Sequence, residues 1–88
     1  MIKYRPHRGG LQESMAEMQE FETVDEMKQF IADEYNKYPA GGRITSDDVS
    51  WSEDHGLDPR IGWEHWRYVI LKNPKGVEWV WGMMDYEG

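Results

Sequence analysis

The chain has no cysteine. One absence thus removes disulfide staples, thiolate metal sites and a cysteine nucleophile, and it fits a reducing compartment. Nor is there an apolar run near the roughly 18–20 residues that a membrane span needs, or the apolar stretch of a signal peptide at the N-terminus. The expectation is a soluble cytoplasmic protein without a membrane partner. Basic side chains are scarce too: ten Lys and Arg stand against seventeen Asp and Glu, a formal charge of −7. Phosphate backbones are gripped by clustered Lys and Arg, so nucleic acid is a poor partner for this balance. Ordinary solubility accounts for such an excess. It also suits an acidic face that competes for a nucleic-acid-binding protein.

What the chain does have is aromatic rings. Its 88 residues make a single domain, 1–88, and include five Trp and five Tyr. A domain of this size hides only about 60–65% of the surface its unfolded form exposes. Rings that each remove roughly 150–250 Å² from water fill such a core economically. Most of them are therefore packing.

Four of the five Trp lie between Trp63 and Met84. The runs Trp63–Lys72 and Val77–Met84 flank the turn formers Asn73-Pro74-Lys75-Gly76, which predicts a β-hairpin. In its first strand Trp66, Tyr68 and Ile70 point one way, and His65, Arg67, Val69 and Leu71 the other. In the second, Val77, Trp79, Trp81 and Met83 share a face opposite Glu78, Val80 and Met84. Neither strand is polar on both faces. One face meets a helix; the other is covered by the N-terminal segment or offered to a partner.

Earlier in the chain, Ile2 and Tyr4 alternate with Lys3 and Arg5, predicting a strand that ends at Pro6. Gly9-Gly10 turns the chain, since glycine accepts positive φ without steric cost. A short helix over about 11–15 and a strand over about 17–22 follow. Thr23-Val24-Asp25-Glu26 has the form of a capping box. Val24, Met27, Phe30, Ile31, Tyr35 and Tyr38 make one apolar stripe behind it, a helix over about 24–37 ended by Pro39 and Gly41-Gly42. Thr45-Ser46-Asp47-Asp48 offers turn caps, Val49–Ser52 alternates as a strand, and 53–62 reads as a long exposed polar loop. Residues 85–88 read as a frayed tail. The fold class is α+β: a small antiparallel sheet of about four strands with one main amphipathic helix on one face.

Catalytic chemistry finds no footing in these residues. His7, His55 and His65 show no two-histidine metal spacing, and His55 with Asp54 and Asp58 falls short of a zinc ligand set. No serine sits in a nucleophile elbow, and no glycine pattern cradles phosphates. We expect no enzyme activity, no catalytic residues, no metal site and no cofactor. The one basic island holds Lys3, Arg5, His7 and Arg8. If Arg5, Arg8 and Arg60 converge, the N-terminal block and the loop before Trp63 form one site. If they pair with the acids of 13–34, the block is scaffold.

The block Tyr4-Arg5-Pro6-His7-Arg8-Gly9-Gly10-Leu11, with Ser14-Met15 and Glu20-Phe21 behind it, resembles that of short uncharacterised bacteriophage and prophage proteins. These open on a Tyr-Arg-Pro-His-Arg-Gly block. They carry a segment like Asp58-Pro59-Arg60-Ile61-Gly62-Trp63 before a strand, and end on one like Val80-Trp81-Gly82-Met83-Met84-Asp85. The resemblance implies a small phage accessory protein in a bacterial cytoplasm. Such a protein binds a host protein, and inhibitors of CRISPR or restriction nucleases are one form of it. The candidate binding residues are Arg5, His7, Arg8, Arg60, Trp79 and Trp81. Two alternatives stay open: a nucleic-acid-associated protein using the basic block, and a structural homo-oligomer that buries the hairpin face.

Overall fold

A computed structural model covers residues 1–88. One antiparallel sheet of five strands runs β1 (Ile2–Pro6), β2 (Gln19–Phe21), β3 (Val49–Trp51), β4 (Trp66–Lys72) and β5 (Glu78–Asp85) in chain order. In space the order is β2-β1-β5-β4-β3, so the predicted hairpin β4–β5 and the N-terminal β1 form the middle of the sheet. The helices are α1 (Leu11–Ala16) and α2 (Val24–Asn36), with a short 3-10 turn at Ser46–Asp48. The fold is α+β as expected, and the strand expected over about 17–22 is β2, which pairs with β1 at the edge of the sheet. No helix is long and apolar enough to cross a membrane.

α2 starts where its cap is written. The Thr23 hydroxyl oxygen accepts from the Glu26 backbone N–H at 3.2 Å, while Asp25 and Glu26 occupy the positive end of the helix dipole. From its stripe Met27, Ile31 and Tyr35 are buried. They pack on Ile2 and Tyr4 of β1, Val69 and Leu71 of β4, and Met84 of β5. Burying a Met, Leu, Ile or Val side chain is worth about 1.5–3 kcal/mol each against leaving it in water. Tyr38 departs from the predicted stripe: it is 88% exposed, because the helix has ended at Asn36 and the chain no longer keeps its phase. Asn36 holds that turn instead, its side-chain amide bonding Ile44 N–H and C=O at 2.9 Å each.

The alternation predicted for the second hairpin strand also fails, for a local reason. Val69 pairs with Gly82 and Ile70 with Val80, so Trp81 is an extra residue on β5. A bulge of this kind shifts the register of everything beyond it. Met84 therefore joins Trp79 and Trp81 on the α2 side, and Met83 turns to the opposite face. The last residues are not frayed. Arg67 donates to the carbonyls of Tyr86 (2.9 Å) and Glu87 (3.3 Å), and the Tyr86 ring meets Trp51 edge-on at 5.7 Å.

Candidate functional site

Register places the site's floor. Arg5 of β1 pairs with Met83 of β5, and Met83 pairs with Tyr68 of β4, so these side chains form a row on the face away from α2. Two covers close over that face. On one side α1 sets Ser14, 2% exposed, against β1. Its hydroxyl donates to the Pro6 carbonyl and accepts from Arg5 Nη1 at 3.2 Å. Gly9 makes this return possible, with φ at +64° between strand and helix. On the other side residues 52–65 cross the sheet. The His55 ring stacks on Trp66 at 4.4 Å, and Trp63, 3% exposed, lies 5.6 Å from the Arg5 guanidinium carbon. Asp58 N–H bonds the Trp63 carbonyl at 2.7 Å and closes a turn within the loop. The segment 53–62, expected to be an exposed loop, thus buries Asp58, whose partners lie within the loop itself. Trp63, expected to open the first hairpin strand, lies ahead of β4, which begins only at Trp66. Between the covers lies a cleft of about 260 Å³ whose walls include Arg5, His7, Arg8 and Arg60.

The charges in the cleft do not cancel. Asp58 gives both carboxylate oxygens to Arg60: Oδ1 accepts from Nε and from the backbone N–H, each at 3.1 Å, and Oδ2 from Nη2 at 2.9 Å. These bonds hold the Asp58 carboxyl below its ordinary range and raise the Arg60 guanidinium above its own. Arg8 reaches Glu17 at 3.7 Å, an exposed and loose pair. Arg5 is different. It is 6% exposed, makes no ion pair, and its Nε has no hydrogen-bond partner. Burial holds its guanidinium below the usual value, Arg60 adds to this, and Asp58 opposes both. A buried cation without a contacting anion is costly. The Arg5 Nε is the one buried side-chain nitrogen or oxygen left without a hydrogen-bond partner.

Arg5, His7, Arg8 and Arg60 therefore do converge, while Arg8 also pairs with an acid of the 13–34 segment. Trp79 and Trp81 lie outside the cleft, on the α2 side. Their rings sit 5.7 and 5.8 Å from the Tyr35 ring and are half-buried packing. With Pro6, His7, Arg8 and Val80 they also line a neighbouring recess of about 410 Å³. The turn Pro6-His7-Arg8 is the wall common to both. Ser14, Trp63, Tyr68 and Met83 were not among the expected site residues, and Asp58 was weighed only for metal. The local sign was Asp58-Pro59-Arg60, a turn in which a carboxylate reaches a cation two residues on.

The loop has its own fastener. His65 Nδ1 lies 2.6 Å from Asp54 Oδ2, and Asp54 Oδ1 accepts from Gly56 N–H at 2.6 Å. Bonding to Asp54 raises the His65 imidazole above 6.5. The Gly56 bond first, and His65 second, lower Asp54 below 3.8. A raised histidine contributes stability that is whole below its unfolded value and lost as pH climbs through the folded one. A depressed carboxyl contributes above its unfolded value and loses that contribution as pH falls through the folded one. The loop is thus fastened most firmly between these two titrations. In an NMR titration the His65 ring is expected to titrate above 6.5 and to fall back towards the ordinary histidine value in Asp54→Asn. An unchanged His65 titration in that variant would rule the fastener out.

The cleft wall carries three arginines against the single carboxylate of Asp58. Ser14 gives its proton to a backbone carbonyl, not to a base, and no group of three His, Asp or Glu converges as a metal set. Compared with known proteins, the chain matches no family model, no curated protein and no solved structure.

Proposed function

We propose that this chain is a non-enzymatic, phage-type accessory protein that acts in a bacterial cytoplasm by binding a host protein, as an inhibitor of a defence nuclease. The observation that carries this reading is the shared wall. Pro6-His7-Arg8 stands between a cation-lined cleft and an aromatic recess, so one partner segment bearing an acidic and an apolar group can engage both. Recognition surfaces of this kind join aromatic anchors with Arg. Nucleic acid is the weaker alternative. Arg60 is committed to Asp58 and Arg5 is buried, which leaves no row of free exposed cations to follow a phosphate backbone.

The test uses cells carrying a restriction or CRISPR nuclease and challenged with phage. Wild-type protein is expected to raise plating efficiency and to co-purify with the nuclease. Arg8→Glu, an exposed change with little leverage on the fold, is expected to lower both about tenfold or more. Unimpaired nucleases across the panel, with no partner retained, would sink the reading. Sedimentation at several concentrations separates the homo-oligomer alternative.

A further inference from the structure

We propose that the cleft beside Arg5 is a carboxylate-binding site, which takes one Asp or Glu side chain, or a terminal carboxylate, from the partner polypeptide. The proposal rests on reading the cleft as part of the contact surface, and it names what enters. Arg5 Nη1 is committed to Ser14. Nη2 makes no hydrogen bond within the protein and is left to donate to an oxygen of a carboxylate. Nε also has no partner within the protein but is shut off from solvent, so it adds to the unmet charge and does not touch the ligand. Asp58, the one acid in the wall, is held bidentately by Arg60 and forms no ion pair with Arg5.

Charge and size point to the same ligand. Arg5, Arg8 and Arg60 outnumber Asp58 among the lining residues, so one negative charge is welcome, while the Asp58 carboxylate disfavours a dianion. The volume, about 260 Å³, lies just below the ~300–1,000 Å³ of cofactor and drug-sized pockets. Leu11, Tyr68 and Met83 supply apolar wall for the methylene stem of a glutamate.

The labelled full-length protein would be titrated with sodium acetate, with acetyl-glutamate amide, with inorganic phosphate and with sodium chloride at matched ionic strength. NMR would follow the Arg5 Nε–H and the Trp63 indole. Acetate and the blocked glutamate are expected to give saturating shifts at both, phosphate weaker ones, and chloride none. Arg5→Met should weaken carboxylate binding about tenfold or more, the loss of a charge-assisted bond, with the amide spectrum reporting that it is folded. Arg60→Gln is the second variant. It frees Asp58 to swing onto Arg5, so carboxylate affinity should fall although Arg5 is intact. Equal shifts with chloride, tighter binding of phosphate than of acetate, or undiminished binding in Arg5→Met would each overturn the site. If carboxylates fail while Arg8→Glu still abolishes nuclease binding, the contact surface stands and this site falls. If carboxylates saturate and no nuclease is retained, the site stands and the host-protein reading falls.

Discussion

Arg5→Met is expected to leave the protein as stable as wild type or more stable, by up to about 2 kcal/mol, in urea unfolding at neutral pH. Truncating a residue this buried ordinarily destabilises. Here the removed group is a cation at 6% exposure with an unpartnered Nε and no ion pair. Its desolvation costs several kcal/mol. Against that stand one charge-assisted bond to Ser14, about 1.5–3 kcal/mol, and the contact with the Trp63 ring, about 1–2 kcal/mol. Ser14 keeps its bond to the Pro6 carbonyl in the variant, and a methionine stem still fills the row beside Met83. A loss of more than about 2 kcal/mol would show that the Ser14 and Trp63 contacts outweigh desolvation. Arg5 would then be scaffold. A neutral or stabilising result, joined to weaker carboxylate binding, marks a residue kept for contact at the expense of stability.

How far the chain could be read from its residues depended on the range of the interactions. The cap at Thr23 and the stripe Met27–Ile31–Tyr35 are local, and α2 begins where they place it. The turn at Asn73–Gly76 is local too, and it sets β4 and β5. Tyr38 missed because it lies two residues beyond the helix end at Asn36, where the phase is lost. Met83 and Met84 exchanged faces because a single extra residue, Trp81, is invisible to a period of two. Convergence of Arg5, Arg8 and Arg60 could be posed as a question, but only the strand order β1-β5-β4 answers it. The burial of Asp58 was hidden for a similar reason. Polar composition predicts exposure of 53–62, whereas the stacking of His55 on Trp66 folds that loop over the sheet.

Gly82 carries the largest expected loss. A Cβ at this position would stand 2.5 Å from the Arg5 carbonyl oxygen and 2.6 Å from the Tyr4 ring. Neither neighbour yields easily. The carbonyl belongs to β1, which is paired on both sides, and Tyr4, 3% exposed, is held edge-on by Phe30 at 6.2 Å. Gly82→Ala is therefore expected to destabilise by about 3 kcal/mol, the upper range for overpacking. Gly82→Val should leave much of the chain unfolded, since a domain of this size has only about 4–13 kcal/mol in hand. Urea midpoints and near-ultraviolet circular dichroism would measure both. A loss below about 1 kcal/mol for alanine would mean that β1 and β5 separate without cost at this point. The consequence reaches the site. Gly82 follows the bulge that turns Trp81 towards the recess and Met83 towards the cleft, and it pairs with Pro6, where the shared wall begins. Pushing β1 away here moves Arg5 and the Pro6-His7-Arg8 turn together. In the folded fraction of Gly82→Ala, binding at the cleft should weaken along with stability, opposite to the Arg5→Met pattern in which binding falls and stability does not.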